Sequence, residues 1–236
     1  MCRILGIVAD PPQELGACLV DAPRSLASLS HEHRDGWGTA VFNDPLDWAI
    51  KKAPLSAFAD ARFAEAARES HGSVLIAHVR RGTVGPVSFL NTHPFKRGRW
   101  VFAHNGTIEQ LPFLRSLASP ARLGEIEGAT DSEIFFAYLM TELDGVRRED
   151  EAKTVAHAVL ELARRPSFGA INFLLSDGQT LYAFRLGRTL HVLERPGAVL
   201  VASERLTDEP WREVEEGVVL QVTRKPAPKL AVIGRL

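Results

Sequence analysis

"TDSEIFFAYLMTEL", residues 130–143, decides the fold. From Ile134 to Leu143 nearly every position is apolar, all round the helix rather than along one stripe. Such a helix needs cover from more than one direction, so it predicts a layered protein with this segment sandwiched between layers. Thr130 and Glu133 stand in the S/T-x-x-E spacing of a capping box, which starts the helix there. Asp131 then falls in the first turn, where the helix dipole favours a carboxylate. Held rigidly in that position, it also suits the anchoring of a ligand's ammonium group.

Toward the N-terminus lie short apolar runs of strand length, at 2–9, 38–43, 48–52, 74–79 and 100–104. A helix is expected near Leu26, and another over 56–70, where Phe58, Ala59, Phe63, Ala66 and Ala67 form one stripe. Toward the C-terminus a helix over 151–165 aligns Val155, Val159 and Leu162 before Pro166 stops it. Strands follow at 170–176, 181–185, 190–193, 198–202 and 218–222, the first two joined by an Asp177-Gly178 hairpin turn. "RKPAPK", residues 224–229, reads as a proline-rich connection. Short polar turns between strands indicate antiparallel order. Strands, then helices, then strands again predict an α+β fold of two stacked, mainly antiparallel sheets with helices outside.

With 236 residues, 45% of them hydrophobic, the chain can build a substantial core, and one domain over 1–236 is expected. Its 28 basic and 29 acidic residues leave no field to attract nucleic acid or an anionic membrane, and neither is expected as a partner. The apolar run Ile4 to Ala9 ends at Asp10 and Pro11, short of the roughly 7 to 15 residues of a secretory signal core. Nothing later approaches the ~20 apolar residues that span a bilayer, so a cytoplasmic location is expected. Two cysteines without C-x-x-C spacing exclude disulfide and thiol-metal frameworks, and Cys18 reads as a small core residue.

Cys2 directly follows the initiator methionine. Loss of Met1 would put a thiol and a free α-amine on one residue, a nucleophile with its own base; the competing reading is a plain strand cysteine. "HEHRDG", residues 31–36, matches the first part of the H-x-H-x-D-H cluster of dizinc hydrolases through His31, His33 and Asp35. Gly36 stands where the last histidine would, which leaves a polar loop as the alternative. Asn105-Gly106 is a strong hairpin signal; it also supplies an amide side chain and a backbone N–H, the two donors of an oxyanion hole. Arg80 closes a strand ahead of a loop rich in glycine and proline, and its fork is either solvated or set to grip a carboxylate at two points.

Taken in chain order, Cys2, "HRDGWG" (33–38), "RRGTVG" (80–85), "NTHPF" (91–95), "HNG" (104–106) and "TDSE" (130–133) resemble the glutaminase domain of class II glutamine amidotransferases. These are N-terminal nucleophile hydrolases, and the likeness over residues 2–133 looks nearest to the stand-alone, YafJ-type branch. The resemblance implies a four-layer αββα sandwich, with Cys2 as nucleophile and Asn105 and Gly106 as oxyanion hole. It implies Arg80 on the α-carboxylate of glutamine, Asp131 on its α-ammonium, and Arg34 and Thr83 lining the pocket. No metal or cofactor is implied. The chain departs from the family's R-x-A-T-x-G at Gly82, and Val84 stands where synthase-fused relatives carry histidine.

Two activities fit: an amidohydrolase acting alone on glutamine or a γ-glutamyl compound, or a glutaminase feeding ammonia to a separate synthase subunit. The rivals from other classes are a zinc hydrolase built on His31, His33 and Asp35, and a non-catalytic amino-acid-binding module clamped by Arg80 and Asp131.

Overall fold

The computed structural model describes residues 2–44 and 47–236; Met1, whose removal the Cys2 reading requires, lies outside the described residues. The first half runs β1 (Arg3–Glu14), α1 (Ala17–Val20), α2 (Leu26–Leu29), β2 (Trp37–Asn43), β3 (Asp47–Ala53), α3 (Ala61–Arg68), β4 (His71–Val79), β5 (Phe95–Arg97) and β6 (Trp100–Ile108). Four helices follow, α4 (Leu111–Leu117), α5 (Pro120–Leu123), α6 (Asp131–Leu143) and α7 (Glu151–Ala163). The second half closes with β7 (Gly169–Ser176), β8 (Thr180–Phe184), β9 (His191–Arg195), β10 (Ala198–Ala202), β11 (Arg212–Glu213), β12 (Val218–Thr223) and β13 (Lys229–Arg235).

Two antiparallel sheets result, ordered β11-β9-β10-β1-β4-β2-β3 and β13-β12-β8-β7-β6-β5. Strand parity separates three cores. Ile4 and Val8 of β1, Val74 and Ile76 of β4, and Val101 and Ala103 of β6 point between the sheets. The alternate residues of β1 and β4, among them Leu5, Ile7, Leu75 and Ala77, meet α1, α2 and α3. Phe102 of β6 and Phe173 of β7 meet α6 and α7 on the far side. Helix, sheet, sheet and helix are therefore stacked in four layers, as the α+β sandwich reading expects. Gly6 lies on the inner face, where an added Cβ would fall 2.9 Å from Leu181, so glycine there lets the sheets approach.

Helix α6 is the segment that predicted the layering, and every residue from Asp131 to Met140 is buried. Its start is only half a capping box. The Thr130 hydroxyl accepts from the Glu133 N–H at 3.3 Å, but the Glu133 carboxylate turns to the N–H groups of Glu127 and Gly128 instead.

Other expectations are corrected. β1 continues beyond Pro11 and Pro12 because its pairing with β4 shifts register between Val8 and Gln13, which takes the prolines out of the ladder. The helix expected over 56–70 is shortened by Asp60, whose side chain accepts from the Arg62 N–H and starts α3 after a 3₁₀ turn at Ala57–Ala59. The "RKPAPK" connection ends at once in β13, an edge strand. Asn105 and Gly106 form no turn: both lie within β6, paired with Asn172 and Ile171 of β7. No helix among the described residues is long and apolar enough to cross a membrane.

Candidate active site

The ladder between β1 and β4 pairs Ile4 with His78. The ladder ends at Arg3 and Val79, and Cys2 and Arg80 are the next residues beyond those two ends. Both keep the parity of the inner face, so they stand between the sheets at one end of the sandwich. From the other sheet Asn105 continues the inner-face series Val101 and Ala103. The thiol, the guanidinium and the amide thus converge at one opening, although the sequence separates them widely.

The Cys2 thiol sits at the mouth, half-buried, accepting from the Arg81 N–H and donating to the Arg81 carbonyl at 3.4 Å each. Burial pushes the Cys2 thiol pKa up, opposed by the Arg81 N–H and the charge on Arg80. A thiol in this state needs a base close by to become a nucleophile.

Arg80 is buried, and its guanidinium donates to the carbonyls of Val84, Gly85 and Pro86 at 2.9, 3.1 and 3.2 Å. Its backbone N–H donates to the Gly36 carbonyl, just ahead of β2, at 2.7 Å. Asn91 locks the loop that follows: its amide donates to Pro86 and its oxygen accepts from Ala129, just ahead of α6. The elements carrying Arg80 and Asp131 are thereby fixed to each other.

Asp131 accepts from the Ile108 N–H at 2.8 Å and from its neighbour Ser132 N–H at 2.9 Å. Each such charge-assisted bond contributes about 1.5–3 kcal/mol; the one from Ile108 seats the start of α6 on the end of β6. His104 adds a second tie, with Nδ1 2.9 Å from Ser132 Oγ and Nε2 3.1 Å from the Ala170 carbonyl. Burial lowers the His104 pKa, so the ring is neutral; because a carbonyl only accepts, Nε2 carries the proton and Nδ1 accepts from Ser132.

Two adjoining clefts open on Cys2. The first is lined by Cys2, Arg80, Thr83, Gly106 and Asp131 among others. The second shares Cys2, Thr83 and Gly106 and adds Asn105 and Arg188. Gly106 stands between them with no room for a side chain, since a Cβ there would fall 1.8 Å from the Ala170 carbonyl oxygen. The Thr83 hydroxyl reaches toward that of Thr107 at 3.3 Å.

Arg34 lines neither cleft; it is exposed and its Nε donates to the His31 carbonyl at 2.6 Å. Its neighbour Asp35 accepts from the Gly82 N–H at 2.7 Å and steadies the loop beside Cys2. The zinc reading of "HEHRDG" fails on geometry. His31 packs on Phe58, His33 Nδ1 lies 2.6 Å from the Leu29 carbonyl, and Asp35 faces Gly82. Among the described residues no group of three or more His, Cys, Asp or Glu side chains could hold a metal ion.

Sequence reasoning passed over Asn91, His93, His104 and Arg188, and read Asp35 only as a metal ligand. His93 lines the first cleft with its ring 4.4 Å from that of His78, and none of the four ring nitrogens has a hydrogen-bond partner among the described residues. The quoted "NTHPF" and "HNG" motifs contained Asn91, His93 and His104, so a signal was present for them. For Arg188 there was none.

The profile of class II glutamine amidotransferases matches residues 1–198. Gamma-glutamyl-hercynylcysteine sulfoxide hydrolase of Mycobacterium tuberculosis is 30% identical over 242 residues, which cover 95% of this chain and 94% of that protein. A glutamine aminotransferase class-II domain protein from Silicibacter pomeroyi has a TM-score of 0.70 and 22% identity, over 99% of this chain and 100% of that one. Glutamine phosphoribosylpyrophosphate amidotransferase from B. subtilis has a TM-score of 0.70 and 19% identity, over 99% of this chain but 49% of that one. At these identities the two solved structures share the fold.

Proposed function

This chain belongs to the class II glutamine amidotransferase family, and from that premise we propose that it hydrolyses the side-chain amide of glutamine or of a γ-glutamyl compound on the sulfur of Cys2. The observation that carries the reading is the meeting of Cys2, Arg80, Thr83, Asn105, Gly106 and Asp131 around two adjoining clefts.

Removal of Met1 frees the α-amine of Cys2. That amine titrates near ~8 and is partly unprotonated at neutral pH, so it takes the thiol proton through a water. Arg80 receives the substrate α-carboxylate with the part of its donor set that the loop carbonyls leave over, and Asp131 receives the α-ammonium. The thiolate adds to the amide carbon, and the oxyanion is held by the Asn105 side-chain N–H and the Gly106 backbone N–H. Such a donor is worth on the order of 3 kcal/mol in the transition state. The α-ammonium returns its proton to the leaving nitrogen, the C–N bond breaks, and ammonia or an amine departs from a γ-glutamyl thioester. Water then adds to the thioester, the C–S bond breaks, and glutamate leaves with the thiol restored.

The similarity to a γ-glutamyl hydrolase along nearly the whole of both chains supports hydrolysis without a partner. Supply of ammonia to a separate synthase is the second reading. The B. subtilis amidotransferase, about half of whose chain is matched here, shares the fold alone and does not favour it.

The test uses protein whose mass shows Cys2 at the N-terminus. Glutamine and γ-glutamyl amides are expected to release glutamate, and a glutamine-like diazo ketone to add once, at Cys2. Cys2→Ala is expected to abolish both. Turnover that survives Cys2→Ala, or processed protein that takes no adduct, refutes the nucleophile; glutamine binding without turnover returns the binding-module reading.

A further inference from the structure

The second cleft is basic beyond Cys2. Arg81 and Arg188 line it, and among the described residues no acidic side chain does. The Arg81 side chain is exposed. Arg188, half-buried, stands between β8 and β9, and its backbone is held from both sides. The Asn172 oxygen accepts from the N–H groups of Leu186 and Arg188 at 2.9 and 3.2 Å, and its amide donates to the carbonyls of Arg188 and Thr189 at 3.0 and 3.2 Å. Asn172 is fully buried and lies directly across the ladder from Asn105. One strand pair therefore positions both Asn105 and Arg188. The Arg188 guanidinium spends one donor, Nη1, on the Gly187 carbonyl, while its Nε is buried with no partner. Arg188 thus lines the cleft as a half-buried cation on a fixed backbone.

The placement relative to Cys2 indicates what that ligand is. Arg80 and Asp131 lie in the first cleft, so a γ-glutamyl group held there brings its scissile carbon to the sulfur. Whatever is attached to the amide nitrogen continues into the second cleft, past Asn105. Free glutamine puts only an NH₂ group there and leaves Arg188 unused.

We propose that the second cleft is a leaving-group subsite in which Arg188, assisted by Arg81, binds a carboxylate on the departing amine, so that the preferred substrates are γ-glutamyl conjugates of amino acids. The inference rests on the amidohydrolase reading above and assigns its substrate class.

The experiment compares γ-glutamylglycine, γ-glutamylglycinamide and glutamine on protein with Cys2 at its N-terminus, before and after Arg188→Gln and Arg188→Lys, with folding checked by thermal unfolding. The first two substrates differ only by the carboxylate of the leaving amine. kcat/KM is expected to favour γ-glutamylglycine by about tenfold, the low end for a charge-assisted bond in a half-open cleft. Arg188→Gln is expected to bring that ratio close to one, and Arg188→Lys to retain part of it. Turnover of all three substrates with no preference for the anionic one, or with a preference that Arg188→Gln leaves in place, overturns the subsite and leaves the amidohydrolase standing. Absence of turnover on every substrate overturns the amidohydrolase and the subsite with it.

Discussion

Gly106→Ala isolates the close approach on which the proposed oxyanion hole depends. The new Cβ would lie 1.8 Å from the Ala170 carbonyl oxygen, 2.5 Å from its carbon and 2.6 Å from His104 Nε2. Carbon–oxygen contacts begin near ~3.2 Å, so β6 and β7 must part locally by more than about 1 Å, since backbone cannot rotate away as a side-chain end can. Overpacking of this kind costs about 1–3 kcal/mol. Parting the strands also lengthens the 3.1 Å contact between His104 and the Ala170 carbonyl, a further loss of about 1 kcal/mol. For a chain of 236 residues, a total of roughly 2–4 kcal/mol lowers Tm by about 5–15 °C. The Gly106 N–H shifts with its strand, and a misplacement of about 1 Å lowers kcat roughly a hundredfold. Thermal unfolding by circular dichroism and glutamate release from the Cys2-terminal enzyme measure the two effects. Gly124→Ala is the control, because Gly124 has ordinary helical angles and its nearest neighbour would be 3.3 Å from a new Cβ. If Gly106→Ala matches that control in Tm and keeps kcat within about threefold, the steric account of this glycine is wrong.

Asp131→Asn keeps the shape but sets an amide against backbone donors at one oxygen. KM for glutamine is expected to rise tenfold or more with a smaller change in kcat, because the ammonium contact is made in ground and transition states alike; a kcat loss with KM unmoved refutes that role. Acid is expected to destabilise the protein from about pH 6.5 downward. Burial lowers the pKa of His78 to about 3 and those of His93 and His104 below the usual value, whereas the unfolded chain titrates near ~6.5. Unfolding therefore takes up protons below about pH 6.5, and the stability fully present above that pH is lost as pH falls toward the folded values, by up to about 1.4 kcal/mol per pH unit for each histidine. Denaturant midpoints at pH 7, 6 and 5 measure this; a midpoint that is flat or rising on acidification refutes the neutral buried cluster.

Which residues could be read from the sequence follows from the range of the forces that place them. Helix α6 was legible because its all-round apolarity and its Thr130 cap are properties of consecutive residues. The two sheets were legible because strand length and short turns are local too. β1 was read short because its prolines mark a stop locally, while the register shift that accommodates them belongs to its pairing with β4. Asn105-Gly106 was legible as chemistry through the family resemblance but its conformation was not. A local rule sends that dipeptide to a turn, whereas the requirement satisfied here is the approach of Ala170 on another strand. Arg34 and Thr83 show the same limit from the other side. Equal as family-derived pocket residues, they part because the Arg34 side chain is captured by a carbonyl of its own loop, while Thr83 stands in the short loop that leaves β4 through Arg80 and lines both clefts. Arg188 carried no signal, because its position is set by Asn172, and Asn172 matters only once β7 lies in register beside β6. Residues whose positions depend on the register between distant strands thus become visible only in the folded molecule. Both proposed halves of the substrate, the glutamyl group and the amine that leaves, meet the protein through such residues on opposite sides of Cys2.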